Sequence, residues 1–301
     1  VDLSVPPGEA AQLSRRGVVR SLEAAQAQAL AHVARLAEGP PLPAGCTVTV
    51  HFHPDRDAGG RSVLAALADE GVYRSQFVTR TSNGGLTAHP GGDRWRWESR
   101  LFGGAYDAAP PDTRPIYGAL DHRGRPEGAA PRFGSAYLRL RPEVTARASF
   151  CWPDSVFEPT HFGVAERMGV LAVAAAAAPA SDPLDDYIEA QVHGEVRLDR
   201  DVEALVLDPC FRGTPVAEVA AGLPCAVEWH RGYAVAVDTL RAQTDYRGAE
   251  IAALGERVAV GGRVDAAVIG AARATGRYEE QALKRLWHCV ARFGGLRGAG
   301  T

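Results

Sequence analysis

The run Tyr187-Ile188-Glu189-Ala190-Gln191-Val192-His193-Gly194 decides how this chain is read. It is a short strand-like stretch with an acid among apolar neighbours. Alternate side chains of a strand point to opposite faces, so Glu189 faces either a concave site or water. A lone carboxylate in an otherwise apolar strand suggests a site; the alternative is an edge-strand acid in solvent. Arg132-Phe133-Gly134-Ser135-Ala136-Tyr137 is a second run of the same character.

Working outward, residues 9–38 read as a helix stopped by Gly39-Pro40-Pro41, and 46–52 alternates as a strand ended by His53-Pro54-Asp55-Arg56. Residues 61–70 form a helix closing at Gly71, and 72–78 a second strand. Thr81 to Gly85 is a Gly-rich turn. Residues 89–130, rich in Gly, Pro and charge, read as a long loop region with one helix near Trp95 to Phe102. Further strands are expected at 135–140, 187–193, 196–198 and 202–207, with helices at 166–178, 246–254, 264–274 and 278–293. Strands and helices do not alternate regularly, which argues against a doubly wound sheet.

Hydrophobic residues make up 46% of the 301 positions, enough for a sizeable core, and the net charge of −3 argues against a general nucleic-acid binder. Lys284 is the only lysine. The five cysteines have long spacings and no C-x-x-C, which disfavours a zinc knuckle or a disulfide framework. No signal peptide or spanning segment is visible, so a cytoplasmic location and no membrane partner are expected.

Three constellations carry chemistry. His51 and His53 lie two apart at a strand end, so both imidazoles share a face and suit a metal or a sugar diol. Arg74, followed by Ser82-Asn83-Gly84, can grip an anion through its guanidinium and the turn's backbone N–H groups. Gly134-Ser135 before Tyr137 lets a flat ring lie against backbone. Each also has a plain structural reading, as surface histidines, a hairpin turn or a core tyrosine.

Together these pieces resemble the ADP-ribosyltransferase superfamily, especially its His–Tyr–Glu branch. The likeness covers about residues 46–210: a histidine ending the first strand, a helix closing as Leu67-Ala68-Asp69-Glu70-Gly71, the Phe133-Gly134-x-x-Tyr137 strand and the later strand with Glu189. Phe52-His53-Pro54-Asp55-Arg56, Tyr73-Arg74-Ser75-Gln76-Phe77 and Leu283-Lys284-Arg285-Leu286-Trp287-His288, with the runs already quoted, also resemble a family of uncharacterised bacterial proteins across most of the chain.

The superfamily resemblance implies an α+β protein with an ADP-ribosyltransferase-like split antiparallel sheet. It would have a helical extension at 1–45, a catalytic domain at 46–240 and a helical region at 241–301. It implies NAD as substrate, no metal, and an acceptor of unknown kind. His53 would bond the ribose, Tyr137 would stack on nicotinamide beside Ser135, and Glu189 would favour the cationic transition state. Gln191, on the same face as Glu189, would help bind the acceptor. One departure is Pro54, which has no N–H where the branch usually has a glycine gripping the nicotinamide amide. Arg74 is the alternative ribose holder, as in another branch, with Ser82, Asn83 and Gly84 nearby. Two other readings stand beside this one. A metal-dependent hydrolase would use the His-x-His strand end with His161, His193, His230 and Asp238. A non-catalytic protein would dock a partner on the 278–293 helix.

Overall fold

Val48, Val50 and Phe52 take alternate positions in the strand β1 (Thr47–Phe52), and all three are buried. The computed structural model describes residues 22–57, 59–79, 87–178 and 180–295. After β1 come β2 (Val72–Tyr73), β3 (Ile116–Asp121), β4 (Ala136–Leu140), β5 (Ala148–Trp152), β6 (His161–Val164), β7 (Glu189–Val192), β8 (Val196–Arg197), β9 (Val202–Leu207) and β10 (Ala226–Trp229). One eight-stranded sheet has the order β10-β9-β4-β1-β3-β7-β5-β6, and every neighbouring pair is antiparallel except β9 with β10. β2 pairs with β8 apart from it. The protein is therefore α+β, with a large, mostly antiparallel sheet.

The two faces of the sheet differ. Residues opposite each other in an antiparallel pair share a face. Val48, Val50, Leu120, Leu138, Phe150, Ala190, Val192 and Leu205 form the apolar face and the main core. Helices α2 (Val63–Glu70), α5 (Val170–Ala176) and α6 (Pro215–Ala221) add Leu64, Leu67, Val170 and Ala220 to it. The opposite face is polar: Thr49, His51, Tyr117, Ser149, Glu189 and Gln191. At the β5–β6 end it is covered by α1 (Ala24–Leu36) and α4 (Asp93–Leu101), where Ala29, Val33 and Phe102 pack on Cys151.

The sheet forks. β1 and β3 pair only at Thr47–Asp121, Val48–Leu120 and Thr49–Ala119. Beyond that point β1 continues along β4 to Phe52, and β3 stays with β7 back to Ile116. At the crotch, a Cβ on Gly118 would sit 2.6 Å from the Thr49 carbonyl oxygen, so only glycine lets the strands approach this closely.

The fold differs from sequence expectation at particular places. The second strand ends at Tyr73, and the chain turns into the short helix α3 (Gln76–Thr79), so Arg74 is not on a strand. Its entry is fixed by Ser75, whose hydroxyl donates to the Pro111 carbonyl at 2.8 Å and whose carbonyl caps the turn. The supposed loop region 89–130 holds β3, a central strand, as well as α4. β5, β6 and β10 were not anticipated either.

A second core lies toward the C-terminus. β11 (Ala234–Ala236), α7 (Val237–Ala242), α8 (Thr244–Arg247), α9 (Ala249–Val258), β12 (Arg263–Asp265), α10 (Ala266–Ala274) and α11 (Glu280–Phe293) surround Leu240, Ile251, Leu254, Ile269, Leu283, Leu286, Trp287 and Val290. The apolar stripe of α11 is therefore spent on this core and is not an open docking face. Among the described residues no helix is long and apolar enough to cross a membrane, and all five cysteines are free thiols.

Candidate functional site

A cavity of about 290 Å³ occupies the fork, at the small end of ligand sites. His51 and His53 reach it from β1 and its end, Tyr117 and Ala119 from β3, and Glu189 from β7. Arg94 and Trp97 of α4, Asp154, Tyr187, Arg132 and Arg74 close it from the loops, and Lys284 reaches it from α11.

Glu189 is only 6% exposed. Burial, reinforced by the neighbouring Asp154, pushes its carboxyl up to about 8, against the pull of Arg94 and of hydrogen bonds from Gln191 and Ser155. The Gln191 amide donates to Oε1 at 2.8 Å and the Ser155 hydroxyl to Oε2 at 3.0 Å. Asp154 is itself held by the Tyr187 hydroxyl and by the Val156 N–H at 2.8 Å.

Behind Glu189 runs a buried chain of donors. Ser149 donates to Gln191 Oε1 at 2.8 Å. Its oxygen therefore accepts from His193 Nε2 at 2.9 Å, which leaves Nδ1 to accept from the Tyr106 hydroxyl at 2.7 Å. Every proton in the series Tyr106, His193, Ser149, Gln191 points toward the carboxylate. Burial drives His193 down to about 3, so it remains neutral and keeps this polarity.

On the β1 side, the Ala130 N–H donates to His51 Nε2 at 3.3 Å, so Nδ1 carries the ring proton and donates to the Gly134 carbonyl at 3.2 Å. Burial lowers His51 to about 3. His53 is also neutral, held down by burial and by Arg273 and Arg56, with its ring edge-on to Trp287 and Nδ1 3.5 Å from the Ser135 hydroxyl. Tyr117 donates to Glu98 Oε1 at 3.1 Å, and Glu98 is paired with buried Arg114 at 2.5 Å. Arg94 lies over the Tyr117 ring, 4.4 Å from its centre.

The cavity thus brings together four of the residues singled out from sequence: Glu189, His51, His53 and Arg74. Arg74 is half-buried and pairs with Glu70 at 2.9 Å. Gln191 and Ser135 stand one layer back, touching Glu189 and His53 respectively. Tyr137 does not line the fork. Its ring packs on His51 with centres 5.1 Å apart, and its hydroxyl donates to the Pro126 carbonyl at 2.8 Å, on the side of a second depression near Arg139. Ser82, Asn83 and Gly84 lie outside the described residues. Among the described residues no three His, Cys, Asp or Glu groups gather as metal ligands. His161 is exposed on β6 beside Trp152, and His193 is committed to the donor chain.

Sequence reasoning missed Tyr117, Arg94, Asp154 and Tyr187. Tyr187 was in view beside Glu189. The Pro115-Ile116-Tyr117-Gly118 run reads poorly as a strand because Pro and Gly both weaken strands.

Over residues 47–177 and 169–293 the chain matches the model of a family described as a protein of unknown function, DUF3626. It belongs to this family. The first matched stretch carries His53 and Tyr117 and the second Glu189 and Lys284, so both halves of the DUF3626 match build the cavity. None of the curated proteins matches the chain.

Proposed function

We propose that this protein binds NAD in the fork and breaks its nicotinamide–ribose bond, passing ADP-ribose to an acceptor or to water. One observation carries the reading: the buried Glu189 shares a forked-sheet cavity with both candidate ribose holders, His53 and Arg74. The mostly antiparallel sheet divided at β1 and β3 supports the likeness to the ADP-ribosyltransferase superfamily.

Loss of nicotinamide leaves positive charge on the sugar, as in glycoside hydrolysis. A carboxylate fixed beside that carbon is worth most where water is excluded. Glu189 has this role, and its orientation is set by Gln191 and Ser155 rather than by mobile solvent. Binding a pyridinium cation favours ionisation of Glu189, because an opposite charge stabilises the carboxylate. Neutral His53 can both donate and accept toward a ribose diol. The ring expected of Tyr137 is supplied instead by Tyr117 or Tyr187, which do face the fork. No step requires a metal, since nicotinamide is already a good leaving group.

The test is incubation with NAD, with free nicotinamide and ADP-ribose products assayed together. Release that fails in Glu189→Gln is expected. A folded wild-type protein that releases no nicotinamide refutes the proposal.

A further inference from the structure

Arg94 is 9% exposed, yet among the described residues neither its Nε nor its Nη1 has a hydrogen-bond partner. Buried guanidinium nitrogens without acceptors are costly, and the common remedy is a carboxylate or phosphate. The group is rigidly presented: the Tyr117 ring lies 4.4 Å below it and the Trp97 ring centre is 5.5 Å away. Its neighbours do not neutralise it by contact. Glu98 is taken by Arg114 and Tyr117, and Glu189 by Gln191 and Ser155.

Apart from Arg74, which is paired with Glu70, the cations of the cavity fall into two groups. Arg56 and Arg132 flank Lys284, and burial together with these two cations lowers the lysine's pKa. They suit the diphosphate of a dinucleotide. Arg94 acts instead on Glu189, next to the carbon that the proposed reaction opens.

We propose that Arg94 holds the anionic end of the second substrate, a carboxylate or terminal phosphate, beside Glu189. This rests on the NAD-cleaving reading and names its acceptor class. In the transfer, an acceptor oxygen forms a bond to ribose C1′ as the C1′–N bond breaks. The electron pair leaves with nicotinamide, whose ring nitrogen becomes neutral. An anionic oxygen attacks without losing a proton, so the step requires no general base.

The test titrates N-acetylglutamate, glycerol 2-phosphate and agmatine into the full chain by calorimetry, with ADP-ribose in parallel. At least one anionic compound is expected to bind and agmatine is not; which one binds separates carboxylate from phosphate. Arg94→Gln is expected to weaken that compound by about tenfold or more, the scale of a charged hydrogen bond, and ADP-ribose far less. Arg94→Lys keeps the charge and is expected to retain most of the binding, which separates anion contact from packing. With NAD present, mass spectrometry is expected to find ADP-ribose on the bound anionic compound. Binding by neither anion, modification of agmatine alone, or equal loss of ADP-ribose in Arg94→Gln overturns the proposal. Anion binding that depends on Arg94 in a protein that releases no nicotinamide leaves the anion site standing and refutes NAD cleavage alone.

Discussion

Thr49 and Ala119 are the last residues that pair β1 with β3, and the cavity begins where their pairing ends. Ala119 is in turn opposite Glu189 on β7. The point where the sheet divides therefore also sets the depth at which the acid sits. A small side chain at 119 leaves the carboxylate uncovered on the cavity side.

Glu189 keeps its proton in the fold up to about pH 8, whereas an unperturbed glutamate loses it at 4.5. Between these values the folded state binds more protons than the unfolded one, so stability falls as pH rises. Glu189→Gln removes that dependence. Its melting temperature is expected to exceed that of wild type by a margin that widens from about pH 5 to about pH 8. Scanning fluorimetry across this range checks it, and a margin that does not change with pH contradicts it.

On the proposed NAD-cleaving reading, the same group would set the pH dependence of catalysis. In the free enzyme the kcat/KM for NAD is expected to climb toward pH 8 as Glu189 ionises. A profile flat from about pH 6 to about pH 9 would show that this carboxyl is not the one that matters.

Much of this site was legible in the sequence. The acid strand, the β1 strand with its two histidines and the helix closed by Gly71 all follow from local pattern, since alternation and capping depend on near neighbours. β3 was not legible, because Gly118 is dictated by the Thr49 carbonyl, a contact between residues far apart in sequence that no local rule encodes. Tyr137 was misplaced for the same reason. Its strand neighbours β1 and β9, not β3, so a tyrosine on the right face stands beyond His51, outside the fork.

Tyr117 and Tyr137 can be told apart by paired substitutions. Tyr137→Phe loses a hydrogen bond to Pro126 and is expected to cost about 1 kcal/mol of stability, with nicotinamide release within about twofold of wild type. Tyr117→Phe frees Glu98 Oε1 inside the site and is expected to lower kcat/KM by about tenfold. A larger loss of release in Tyr137→Phe than in Tyr117→Phe contradicts this ranking of the two hydroxyls.

Glu98 and Arg114 form a pair that is almost completely buried. Arg114→Ala leaves an uncompensated carboxyl beneath Tyr117 and is expected to destabilise the fold by about 3–5 kcal/mol, read by urea denaturation. A loss below about 1 kcal/mol would mean that Glu98 is protonated in the fold.

Nicotinamide release from NAD, measured side by side for wild type and Glu189→Gln at pH 8, bears most directly on the central claim. Wild type is expected to release nicotinamide, and the variant to release it about 10²–10³-fold more slowly while binding ADP-ribose comparably. Equal release by the two proteins, or none by a folded wild type, would contradict it.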